Sequence, residues 1–138
     1  MRPGFEIIPH TADIGLRVRG KTLAALFENA ARGMTSLLAE MKGTGREKSA
    51  NVRLSSDGPE SLLVDWLGEI LYKFTVKRAA YSRFKVTALS PRALSARLSG
   101  GRAGPGLRAL REIKAVTYHG LKIKKMKEGY AADIIFDV

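Results

Sequence analysis

The chain has 138 residues, 45% hydrophobic and 27% charged, enough to bury a core in one domain without a disulfide or metal staple and too apolar for disorder. It contains no cysteine, which excludes disulfides, zinc-thiolate and iron–sulfur sites and thiol catalysis. Lysine and arginine number 24 against 13 acidic residues, a formal net charge of +11 that attracts polyanions; contact with RNA or DNA phosphates, general solubility and docking on an acidic protein all remain open on this ground.

Residues 5–9 (Phe-Glu-Ile-Ile-Pro) read as a first strand stopped by Pro9. Residues 13–19 alternate, with Ile14, Leu16 and Val18 on one face and Asp13, Gly15, Arg17 and Arg19 on the other, the pattern of a half-buried strand. Gly20 breaks it, and Thr22 can cap the helix that follows. Leu23, Leu26, Phe27, Ala30, Met34, Leu37 and Leu38 recur at helical spacing, predicting a helix to about residue 41. Gly43 and Gly45 mark a loop, and residues 50–55 alternate weakly as a strand. Asp57-Gly58-Pro59-Glu60 starts a second helix, since proline suits the first turn and acids suit the positive end of the dipole. Its apolar stripe runs from Leu62 through Trp66 to Phe74, and the stripe assigns Trp66 to the core rather than to a base-stacking platform.

Residues 80–88 and 93–98 read as a hairpin turning at Ser90-Pro91-Arg92, and the glycine-rich stretch 99–106 as a flexible loop. Strands are predicted at about 112–119, 121–126 and 130–137, with a turn at Lys127-Glu128-Gly129. The order is strands, helix, strand, helix, strands, two loose copies of a strand–helix–strand unit without a linker. Short connections imply a largely antiparallel sheet with two amphipathic helices covering one face, an α+β single domain over residues 1–138. No apolar run reaches the ~18 residues of a membrane span. The N-terminal Met-Arg-Pro-Gly-Phe-Glu lacks the apolar core of a signal peptide, so the expected compartment is cytoplasmic, with no membrane partner.

Asp13 and Asp137 lie on the polar sides of their strands, each at a strand end, and Val138 would add its carboxylate beside Asp137. If the strands bearing them are neighbours, three anionic groups converge; their repulsion needs a cation or protons, and an oxygen-only donor set favours a hard ion such as calcium or magnesium. Solvated or turn-capping aspartates are the structural alternative. His10 follows Pro9 in a turn, where it could orient a carboxylate, donate to a phosphate or simply bond nearby backbone. With two histidines in all, a multi-histidine metal site is excluded. In Lys114-Ala-Val-Thr-Tyr-His119, Lys114 shares a face with Val116 and Tyr118 while Thr117 and His119 share the other; Lys114 could reach a phosphate, pair with the acidic cluster or snorkel to solvent. Asp65, Glu69 and Lys73 follow i, i+4 spacing on the second helix, where Glu69 and Lys73 form a favourable surface pair. Phosphate-binding glycine-loop, Gly-x-Ser-x-Gly and His-Glu-x-x-His motifs are absent, which weighs against a free-standing enzyme.

Four separated motifs carry a family resemblance across the whole chain. His10-Thr-Ala-Asp-Ile-Gly15 with Gly20-Lys-Thr-Leu23 and Leu26-Phe-Glu-Asn-Ala-Ala31, then Leu62-Leu-Val-Asp-Trp-Leu67 with Glu69-Ile-Leu-Tyr72, then Ile113–Leu121, and finally Ile135-Phe-Asp-Val138, resemble the archease signature. The resemblance implies an antiparallel sheet curled into a partial barrel around two helices, built from duplicated strand–helix–strand units. It also implies a non-catalytic partner of an RtcB-type RNA ligase, the manganese- and GTP-dependent enzyme that joins RNA ends in tRNA splicing through a histidine–GMP intermediate. The implied role is to promote that guanylylation and multiple turnover, with tRNA met through the complex. By the same resemblance a divalent metal, calcium first with Mg2+ or Mn2+ as alternatives, sits on Asp13, Asp137 and Val138, and His10, Glu69, Lys114, Thr117 and His119 are functionally important. Two positions depart from the pattern: Gly68 stands where asparagine is usual, and the loop before Lys114 lacks the histidine often found there. Two other readings are a charge-driven RNA-binding or chaperone-like module, and a metal-dependent phosphoesterase, for which two acidic side chains form a thin ligand set.

Overall fold

Alternating apolar and charged residues build the first ribbon. The structure, a computed structural model, describes residues 4–9, 13–42 and 47–138. β1 (Phe5–Pro9) pairs antiparallel with β2 (Ile14–Gly20), from Phe5↔Val18 to Pro9↔Ile14. Leu16 and Val18 are fully buried while Arg17 on the other face is exposed, as the alternation predicts. Thr22 then caps α1 (Leu23–Leu38), its Oγ1 accepting the Ala25 N–H at 3.1 Å.

The first helix ends at Leu38, short of the predicted boundary. Ala39 is extended, and Ala39–Met41 form β3, paired with β8 (Leu107–Ala109). Strand pairing captures backbone groups that a further helical turn would have used. The predicted loop glycines Gly43 and Gly45 lie outside the described residues. α2 (Pro59–Thr75) begins as its sequence demands: Pro59 and Glu60 occupy the first turn, and Ser61 Oγ accepts the Gly58 N–H at 3.1 Å.

β4 (Lys48–Ser55), β5 (Ala79–Ala80), β6 (Arg83–Ser90) and β7 (Ala93–Ala103) form a second sheet, with the β6–β7 hairpin turning at Pro91-Arg92 as predicted. β7 continues through residues 99–103, where a flexible loop was expected, and only then enters a short 3-10 turn, Gly104–Gly106. The glycines there serve close packing. A Cβ on Gly101 would lie 2.8 Å from the Tyr81 ring and 2.9 Å from the Lys48 carbonyl oxygen.

The predicted strands at 112–119 and 121–126 shrink to β9 (Ala115–Val116) and β10 (Lys124–Met126) before β11 (Gly129–Asp137). Side chains replace ladder partners along this segment: Glu60 on α2 accepts the Ile123 N–H at 3.0 Å, holding the chain against the helix start.

Among the described residues three separate antiparallel sheets form: β1-β2-β11-β10 with β9 also on β11, β3-β8, and β4-β7-β5 with β6 also on β7. The expected partial barrel is therefore not the architecture: no sheet is closed or curled into one, because the strands divide their pairing among three ladders. The α+β reading, with two helices and antiparallel pairing in one domain, stands. α1 touches β1, β2 and β11 on one side and β6 on another, and α2 packs on α1, β4, β5 and β9. One core results, in which Leu16, Val18, Ile134 and Phe136 of the first sheet meet Phe27, Met34 and Trp66 of the helices and Phe84 and Leu98 of the second sheet. Gly33 lets α1 settle onto β2, since a Cβ there would come within 2.7 Å of Leu16. No helix among the described residues is long and apolar enough to cross a membrane.

Candidate metal centre

The register of the main sheet decides which chain ends meet. β2 lies directly beside β11, with Leu16↔Ile134, Gly15↔Ile135 and Ile14↔Phe136. The ladder ends at that last pair, and Asp13 and Asp137 are the next residues beyond it on the two chains. Strand alternation places both with Gly15, Arg17, Asp133 and Ile135, on the face away from α1. Asp13 is half-buried, and Asp137 and Val138 are exposed.

β9 brings the third element to this end. Ala115 pairs with Asp137, and the Lys114 N–H donates to the Asp137 carbonyl at 2.7 Å. Lys114 is exposed rather than embedded in a strand, so its ammonium has freedom to reach along the edge. Thr117 is committed to structure: its N–H and its Oγ1 both donate to the Ile135 carbonyl, at 3.1 and 2.9 Å. The His119 N–H in turn donates to Thr117 Oγ1 at 3.3 Å, and the His119 ring stands in solvent. Glu69 sits on α2, 3.5 Å from Lys73, the i, i+4 pair that its spacing predicts. It is one residue from Gly68, which with Tyr72, Ile113 and Lys114 borders a shallow groove of about 440 Å³. His10, with Thr11 and Ala12, lies outside the described residues.

Asp13 and Asp137 lie at the ends of two adjacent strands. Among the described residues no group of three His, Cys, Asp or Glu side chains comes together that could hold an ion. The side chains of Asp13 and Asp137 offer oxygen donors alone, a chemistry compatible with a hard cation.

Farther along the same face the charges are already balanced. Arg17 grips Asp133 in a two-pronged pair, Nε to Oδ1 at 2.9 Å and Nη2 to Oδ2 at 3.1 Å, and Arg19 reaches Glu6 at 2.8 Å. The Arg17 hydrogen bond, helped by the charges of Arg17 and Lys124, holds the Asp133 carboxyl below its ordinary value despite partial burial. Arg17 is raised by the same hydrogen bond and charge. The sequence reading passed over this row and over Glu28, whose Oε2 accepts the Val86 N–H at 2.9 Å. Arg17 and Asp133 stood on the polar sides of two alternating strands, but only the register shows that they face each other.

This combination — two helices, antiparallel sheets and acidic strand ends brought together by the first and last motifs — defines an α+β domain of the archease type. The family model for the Archease protein family (MTH1598/TM1083) matches residues 5–138. The chain is 36% identical to protein archease of Methanosarcina acetivorans, covering 97% of this chain and 95% of that one. It is 32% identical to protein archease of Archaeoglobus fulgidus, covering 97% and 98%. The solution structure of Methanobacterium thermoautotrophicum protein 1598 superposes with a TM-score of 0.76 at 28% identity, covering 99% of this chain and all of that one. The chain belongs to the archease family.

Proposed function

We propose that this chain is the non-catalytic activator of an RtcB-type RNA ligase, promoting ligase–histidine–GMP formation and multiple turnover in tRNA splicing and RNA end joining. Family membership supports the partner. The observation that supports the site is the β2–β11 register, whose last pair, Ile14↔Phe136, has Asp13 and Asp137 as its immediate neighbours in the chain, at a sheet end also reached by Lys114. In this reading Asp13, Asp137 and Val138 hold a divalent ion, calcium being the best match to flexible oxygen donors, with Mg2+ and Mn2+ as alternatives. The ion would neutralise the acidic edge and offer a positive centre to phosphate oxygens at the ligase entrance. Lys114 adds a mobile cation beside it, and Thr117 fixes the strand end that carries Ile135 and Asp137. In this reading the ligase supplies the chemistry and this chain the charges beside it. The working compartment in this reading is the cytoplasm.

The test is covalent GMP labelling of the ligase with and without this chain, alongside calorimetric calcium titration of the chain alone. Asp13→Ala and Asp137→Ala should each lose calcium binding and most of the stimulation, with circular dichroism unchanged. Undiminished stimulation by both variants would remove the acidic cluster from the mechanism.

A further inference from the structure

The opposite end of the same sheet face is basic. Arg19 pairs with Ala131 on one side and Lys124 with Ala131 on the other, so the two cations flank one small residue. Lys21, just past β2, and Lys122, just before β10, border the same hollow, and Arg17 closes its inner side. The result is an open cleft of about 1230 Å³ with five basic residues in its walls.

The neighbouring acids do not neutralise it. Asp133 is engaged by Arg17, and Glu6 by Arg19. Among the described residues Lys21, Lys122 and Lys124 form no ion pair, and Glu128 is the other acid at the rim. Ala131 lies between the cations on this face, while its neighbours Tyr130 and Ala132 turn to the other face and pack on the core.

The cleft is built rather than incidental. Gly129 has φ +142°, and a Cβ there would lie 2.3 Å from the Gly20 carbonyl oxygen, so only glycine lets the β10–β11 turn close onto the β2–α1 junction. Asn29 ties α1 to the same point, its Nδ2 donating to the Arg19 carbonyl at 2.6 Å.

We propose that this cleft holds the phosphodiester backbone of a single RNA strand. Separated basic side chains along an open trough suit a chain of phosphates. An enclosed mononucleotide site would need convergent backbone N–H donors and walls around a base, and an open trough provides neither. The choice of RNA among polyanions rests on the ligase reading above. The second basic face of the molecule, where Lys85 pairs with Arg97 on β6 and β7, is exposed sheet surface and serves as the internal control.

The experiment follows fluorescence anisotropy of a labelled single-stranded RNA on the full chain as salt is raised. Three to five neutralised phosphates correspond to a log–log slope of about −2 to −3.5 at ~0.7 per phosphate. Lys122→Gln/Lys124→Gln should flatten that slope by about 1.4 and weaken binding about tenfold or more. Lys85→Gln/Arg97→Gln should leave the slope unchanged and the affinity within about twofold. Equal losses in the two double variants would reduce the effect to bulk charge and overturn the proposal, as would unchanged binding in the first. A polyglutamate of matched charge that binds more tightly than RNA would assign the cleft to an acidic protein and also overturn it. Guanylylation of the ligase without RNA should be untouched by Lys122→Gln/Lys124→Gln. Failure of the unmodified chain to stimulate labelling rejects the ligase reading while the RNA titration stands by itself.

Discussion

Trp66 donates its indole N–H across the interface between the helices to the Phe27 carbonyl, at 2.9 Å, with both side chains fully buried. Its ring also meets Phe84 edge-on, centroids 6.3 Å apart and planes at 85°. One side chain thereby joins α1, α2 and the second sheet. Trp66→Phe removes the donor and leaves a small void, and should lower unfolding stability by about 2 kcal/mol in a urea titration. Ligase stimulation per folded molecule should not change, because the ring is remote from any exposed edge.

Thr35 lies on the buried side of α1, and its Oγ1 is a buried side-chain oxygen without a hydrogen-bond partner among the described residues. Desolvating a hydroxyl with nothing to bond costs stability. Thr35→Val keeps the shape and removes the polar atom, and should raise stability by about 1 kcal/mol, read as a higher melting temperature.

Gly68 stands inside α2, and a Cβ added there would meet nothing within 4 Å. Gly68→Ala should therefore stabilise the helix by about 0.5–1 kcal/mol, through lost unfolded-chain entropy and better propensity. Gly129→Ala offers the contrast: its positive φ and the collision with the Gly20 carbonyl should make it strongly destabilising in the same denaturation assay.

The Arg17–Asp133 pair gives a pH signature. The folded-state pKa of Asp133 is depressed, so its contribution is fully present above the unfolded carboxyl value and fades as pH falls through the lower folded one. Both side chains are 47% exposed, so solvent screening keeps the contribution below about 1 kcal/mol. Asp133→Asn should be slightly less stable than the unmodified chain near neutrality. The difference should fade as pH falls below the ordinary carboxyl range and through the lowered folded value, where the native carboxyl is protonated as well. A gap that persists in acid would mean that the charge pair is not its source.

Elements whose pattern is local were readable from sequence. Pro59, Glu60 and the Leu62–Phe74 stripe specify α2, and the alternation in residues 14–19 and 130–137 specifies β2 and β11. Elements that depend on distant partners were not. Ala39–Met41 fit a helical period and become a strand because β8 is available, and residues 99–103 look flexible until Tyr81 and Lys48 are seen to require glycine there. The partial barrel failed for the same reason, since no local pattern says which strands share a ladder. At the acidic end, polarity and strand position singled out Asp13 and Asp137, but their adjacency is a property of sheet order. The basic cleft shows the limit most clearly: Arg17, Arg19, Lys122 and Lys124 were visible as charges, and their common trough was not.

Asp137 lies six residues along β11 from Ala131, about 20 Å of strand at ~3.3 Å per residue. Over that distance the solvent-facing side of one rigid sheet passes from lysine and arginine to aspartate. Such a gradient gives this face a lengthwise electric moment, which turns the molecule during approach as well as drawing it in. A large anionic particle would meet the β10–β11 hairpin first, leaving the carboxylate edge at the trailing end, free for a second encounter.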